Sequence, residues 1–123
     1  MNILLADPDR DILLCCSRLL EQEGYTVATA FDAAELFRLW DETRPDLVIL
    51  DTNLPQLNPD KWKQRAAGER TPLLVLGTRR SLPAGPGQAA FSYLAFPFMP
   101  DEFLERTAGL LQAEQSSEVT SYE

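Results

Sequence analysis

The chain has no histidine at all, which removes imidazole acid–base catalysis and histidine metal ligation together. Its only two cysteines, Cys15 and Cys16, are adjacent; such neighbours make neither a disulfide framework nor a spaced zinc site. Basic residues are scarce, with 11 Lys and Arg against 19 Asp and Glu and a formal net charge of −8. That balance argues against a nucleic-acid backbone or an anionic membrane surface as partner. Long hydrophobic runs are missing too. No stretch approaches the roughly 20 apolar residues of a membrane span, and Met1-Asn2-Ile3 passes into an apolar run with no basic leader. The expectation is a cytoplasmic protein, and 123 residues are enough for one domain with one core.

What is present is a series of short apolar runs that end at polar turns. Leu47-Val48-Ile49-Leu50 lies between Pro45-Asp46 and Asp51-Thr52-Asn53-Leu54-Pro55. A continuous run bounded by turn-formers reads as a strand buried on both faces of a parallel sheet. Ile3-Leu4-Leu5-Ala6 reads the same way and ends on Asp7. Ligands of open α/β sheets bind in the crevice outside the carboxyl ends of the strands, so Asp7 and Asp51 face each other there if their strands are neighbours. Pro72-Leu73-Leu74-Val75-Leu76 is a further buried strand, closing on Gly77-Thr78. Residues 25–30 alternate and are β-branched, the pattern of an edge strand, and Tyr93-Leu94-Ala95 reads as a short fifth strand.

Helical signals separate these runs. Asp7 as cap and Pro8 at the first helical position open a helix whose apolar stripe is Ile12, Cys15, Cys16 and Leu19. Both cysteines are read as small core hydrophobes, and Gly24 as the left-handed residue after the helix. Asp32-Ala33-Ala34-Glu35 is an acidic capping box ahead of Leu36, Phe37, Leu39 and Trp40. Asn58-Pro59-Asp60 starts a helix of barely two turns that is expected to stop at Gly68. Pro83, Gly85, Pro86 and Gly87 oppose a regular helix between the fourth and fifth strands, so a helix there is expected to be shortened or absent. Pro100-Asp101-Glu102 opens a last helix expected to end near Gln115, with a polar, acidic and disordered tail over 116–123 and a domain over 1–115. Alternating strands and helices imply a parallel sheet with right-handed crossovers and helices on both faces.

Ile3-Leu4-Leu5-Ala6-Asp7, the segment from Pro45 to Pro55, Pro72-Leu73-Leu74-Val75-Leu76 and Phe96-Pro97-Phe98 together resemble a response-regulator receiver domain, the CheY-like family, over residues 2–113. The resemblance implies a flavodoxin-like α/β fold with five parallel strands in the order 2-1-3-4-5. It also implies that Asp51 holds the place of the aspartate that accepts a phosphoryl group from a histidine kinase. Attack by a carboxylate on a phosphoryl group brings like charges together, and magnesium with hard oxygen ligands relieves the repulsion. Asp7 matches the first acidic ligand, Asp51 the second ligand, and Asn53 the position that gives a backbone carbonyl.

Three positions depart from the family pattern. Pro8 replaces the adjacent acid, Gly77 replaces the switch Ser/Thr, and Phe96 replaces the lysine that neutralises the phosphoryl charge; Pro97, which follows a cis bond in the family, is kept. Asp9 stands one residue too late to replace the acid. Thr78, Arg79 and Arg80 are the candidate substitutes, a hydroxyl and planar phosphate-binding cations. Two readings follow. In the preferred one the chain is a degenerate receiver of a two-component or phosphorelay system, a protein-interaction module independent of phosphorylation and in need of no cofactor. In the other, Asp51 is phosphorylated with magnesium present and switches an output surface. Neither makes it an enzyme beyond phosphotransfer to its own Asp51. The partners implied are proteins: a histidine kinase, an output domain or another receiver, with a homodimer through the last strand and helix, and neither nucleic acid nor membrane.

Overall fold

Short buried runs give the sheet its strands. In the computed structural model, which describes residues 1–78 and 90–120 and side chains as far as 112, the elements are β1 (Asn2–Ala6), α1 (Arg10–Gln22), β2 (Thr26–Ala30), α2 (Ala33–Thr43), β3 (Leu47–Asp51), α3 (Pro59–Glu69), β4 (Leu73–Gly77), β5 (Phe91–Ala95) and α4 (Pro100–Thr120). All strand pairs are parallel and the order is β2-β1-β3-β4-β5. Every residue of β3 and β4 is buried, as expected of strands covered on both faces. Among the described residues there are four helices. The expected loop between the fourth and fifth strands falls on 79–89, outside the described residues.

Successive strand residues point to opposite faces, and the core divides accordingly. Ile3, Leu5, Leu47, Ile49, Leu74 and Leu76 pack with Leu13, Cys16 and Leu20 of α1 and Phe103, Leu110 and Leu111 of α4. Leu4, Val48, Leu50 and Val75 pack with Leu36 and Trp40 of α2 and Trp62 and Ala66 of α3. Burying a side chain such as Phe103, fully enclosed here, contributes roughly 1.5–3 kcal/mol.

The helix ends differ from the expectations in three places. Asp9, not Asp7, caps α1, its Oδ1 accepting from the N–H of Asp11 and of Ile12 at 2.9 and 3.4 Å. The reason is that Asp7 still belongs to the sheet: its N–H donates to the carbonyl of Ala30, so the helix starts later and Pro8 lies outside it. This shifts the buried stripe of α1 to Leu13, Cys16, Ser17 and Leu20 and leaves Cys15 exposed. Gly68 does not stop α3, which runs on until Arg70 takes the left-handed conformation at φ 55°. Finally, α4 continues past Gln115 to Thr120, so helical backbone stands where the tail was expected from 116; residues 121–123 lie outside the described residues. Gly24 does adopt positive φ, 92°.

Candidate functional site

Asp7 and Asp51 sit at the carboxyl ends of the adjacent strands β1 and β3, and both are held by the same local device. The Oδ1 of Asp7 accepts from the N–H of Asp9 at 2.8 Å, and the Oδ1 of Asp51 accepts from the N–H of Asn53 at 2.8 Å. Short acidic side chains bond their own backbone two residues on, which fixes each carboxylate as the chain leaves its strand. Asp7 is 0% exposed and Asp51 4%. The Oδ2 of Asp7 is buried without a hydrogen-bond partner. Burial pushes the Asp7 carboxyl up to about 7; the N–H of Asp9 opposes this, and Asp51 adds charge repulsion. With both groups ionised, Asp7 and Asp51 have no proton to share. A proton on Asp7 turns their contact from repulsion into a hydrogen bond.

The remaining positions follow from the strand ends. Pro8 is exposed and has no ligand atom in its side chain, and Asp9 is exposed and committed to capping α1. Among the described residues no three His, Cys, Asp or Glu side chains are grouped to hold a metal ion. The unpartnered Oδ2 of Asp7 is an oxygen that a cation would satisfy, and with Pro8 in place of the adjacent acid the strand ends offer two carboxylates, Asp7 and Asp51. Gly77 is buried at the end of β4, with its carbonyl accepting from the N–H of Phe96 at 2.8 Å. Thr78 follows and is exposed; Arg79 and Arg80 lie outside the described residues.

Phe96 is half-buried and stacks on Phe98 at 5.2 Å between ring centroids, and Phe98 stacks on Phe103 at 5.6 Å. The Phe96-Pro97 peptide is cis. Phe96, Pro97 and Phe98 face Asp11, Ile12, Cys15 and Cys16 of α1 across a cleft of about 300 Å³. Burial pushes the Cys16 thiol up to about 12, consistent with a core hydrophobe.

One contact was not legible in the sequence. Tyr93, read there only as part of a short strand, donates its hydroxyl to the carbonyl of Thr78 at 2.6 Å. From α4, Arg106 donates through Nη1 to the carbonyl of Tyr93 at 2.8 Å and to the Ser92 hydroxyl at 3.0 Å. A tyrosine with its polar tip at a strand edge is the only signal for it, because the partners lie 13 to 15 residues away.

The response regulator receiver domain family matches this chain over residues 3–107. The chain belongs to that family. Its receiver sequence is 36% identical over 127 residues to the transcriptional regulatory protein PrrA of Mycobacterium tuberculosis, covering 99% of this chain and 54% of PrrA. Against the response regulator MprA of Mycobacterium avium it is 36% identical over 117 residues, covering 91% of this chain and 51% of MprA. The receiver thus spans about half the length of these relatives. Its fold matches the chemotaxis response regulator CheY4 of Vibrio cholerae with a TM-score of 0.75 at 27% identity, over 89% of this chain and 97% of that one. The fold and strand order implied by the resemblance are those found. No helix among the described residues is long and apolar enough to cross a membrane.

Proposed function

We propose that this receiver works as a protein-interaction module whose conformation is set by its sequence, independently of phosphorylation at Asp51. The observation that carries the reading is the fate of the third acid. Pro8 offers no side-chain oxygen, and Asp9, the nearest substitute, caps α1 with its carboxylate. The stack of Phe96 on Phe98 adds support, because an apolar ring stands where the family has a phosphate-binding lysine. Two acids alone carry the same net charge as three acids and one lysine, so the loss is of ligands and not of charge. In this reading the receiver is one cytoplasmic unit over 1–115, needs no magnesium, and partners a histidine kinase, another receiver or an output domain such as the longer relatives have room for. A homodimer would use β5 and α4.

The alternative, phosphotransfer to Asp51, is favoured by one observation: Asp7 and Asp51 are retained side by side with an oxygen of Asp7 unpartnered. Magnesium would then be held by Asp7, Asp51 and the carbonyl of Asn53. Calorimetric titration separates the two. We expect no saturable magnesium binding at millimolar concentration, and recovery of binding in Pro8→Asp, which returns a carboxylate to the ligand ring. Saturable binding that Asp7→Ala abolishes, together with a stoichiometric phosphoryl adduct at Asp51 after incubation with acetyl phosphate, would overturn the proposal.

A further inference from the structure

At the end of the sheet opposite the acid crevice, the last turns of α2 and α3 enclose a second cavity. It measures about 450 Å³ and is bordered by Pro45 and Thr71, just ahead of β3 and β4. Its walls carry both signs of charge, with Arg44 and Arg65 beside Asp41 and Glu69. Trp40 lines it as well, fully enclosed, with the guanidinium carbon of Arg65 5.3 Å from its ring centroid. That stacked pair holds two donors with nothing to give to. The indole N–H of Trp40 and the Nε–H of Arg65 are buried and have no hydrogen-bond partner among the described residues. A buried donor left without an acceptor costs free energy, so two of them on one cavity call for an acceptor from outside the chain. Arg65 spends a terminal nitrogen on Asp41 and Glu69. Arg44, the left-handed cap of α2, is exposed and forms no ion pair among the described residues.

We propose that this cavity binds a small zwitterion of the free α-amino acid class. Its carboxylate meets Arg44 and the Trp40–Arg65 pair, and its ammonium meets Asp41 and Glu69. The donors decide the first half: two N–H groups and an unpaired guanidinium suit a carboxylate, because hydrogen bonds between charged groups are the strong ones. The acids decide the second half. Asp41 and Glu69 stay 67% and 50% exposed beside Arg65, so each has an oxygen to offer, and the carboxyl ends of two helices favour a cation there. With two cations and two acids the walls carry no net formal charge. A simple anion or a simple cation would leave the site charged; a zwitterion would not. The volume is that of a small-molecule site and exceeds what a single bridging water fills. Nothing in this binding passes through Asp51, so it is independent of the reading of the acid crevice.

The test is a titration of the full chain with L-alanine, read at the Trp40 indole N–H and at the amides of Asp41, Arg44 and Thr71. The chain has two tryptophans, and Trp40→Phe assigns the indole signal. The expected result is a saturable shift at about millimolar concentration, within reach of a ligand of about six heavy atoms. Propionate has only the carboxylate and ethylamine only the ammonium; each should bind about tenfold more weakly, having given up one set of charge-assisted bonds. Arg44→Gln removes the unpaired charge from an exposed position and should weaken L-alanine about tenfold with the unliganded spectrum otherwise intact. Arg65→Lys, which keeps the charge but loses the Nε donor and the planar group, should weaken it as well. An indole unmoved by all three compounds leaves the cavity to water and overturns the site. Propionate binding as tightly as L-alanine, or binding untouched by both variants, overturns the zwitterion. Shifts confined to the ends of β1 and β3 would put the ligand in the acid crevice and overturn the proposal too.

Discussion

Asp7 and Asp51 share a crevice because each ends a strand and each bonds the backbone two residues on, and burial makes Asp7 hard to ionise. Its carboxyl stands at about 7 in the fold against an ordinary 3.8. A group that holds its proton more tightly when folded stabilises the fold at low pH. Between those two values the folded chain keeps a proton that the unfolded chain has lost, so stability falls as pH rises, and it levels off above about 7. A gap of this size is on the order of a few kcal/mol. Urea unfolding at pH 5 and pH 8 should show the decline, and Asp7→Asn should remove most of it and be the more stable protein at pH 8. A wild type equally stable at both values would contradict this account of the pair. These two acids were legible in the sequence, since each closes an apolar run. The role of Asp9 was not: the sheet's reach to Asp7 through Ala30 decides where α1 begins, and that pairing is non-local.

At the scale of elements, the strands were legible and the helix ends less so. Four-residue apolar runs such as Leu47-Val48-Ile49-Leu50 leave no choice of face, so those strands end within one residue of the expected bounds, whereas β5, expected from Tyr93, starts at Phe91. Helix α1 has apolar residues around much of its circumference, and its buried side was misjudged by about one position, which put Cys15 inside when it is exposed. Helix α3 shows that a glycine in a helix is not by itself a stop. A Cβ at Gly68 would meet nothing within 4 Å, so Gly68→Ala should stabilise the protein by roughly 0.5–1 kcal/mol through reduced backbone entropy in the unfolded chain. Gly24 also has open space around it but sits at φ 92°; Gly24→Ala should cost about 1–2 kcal/mol. Thermal unfolding of the two variants should move in opposite directions, and a shared direction would mean that one of these backbone arguments is wrong. The pairing of Trp40 with Arg65, whose guanidinium carbon lies 5.3 Å from the ring centroid while the side chain also bonds Asp41 and Glu69, was invisible in sequence because α2 and α3 meet only in the folded chain.

For the whole molecule, the sheet order and the division of the core into two helical layers were implied by the resemblance and are present in the fold. In the proposed reading the acid crevice does not drive the face formed by β5 and α4. An intact receiver links the two because the bound phosphoryl group recruits a hydroxyl and a lysine; here those places belong to Gly77, which has no side chain, and to Phe96, which is stacked on Phe98. A ligand without differential affinity for two conformations cannot shift their populations. The most direct measurement is the set of amide chemical shifts before and after adding beryllofluoride with magnesium. The account predicts changes confined to the ends of β1 and β3, with Tyr93, Arg106 and the rest of β5 and α4 unmoved. Saturable changes across β5 and α4 that Asp51→Asn abolishes would contradict it.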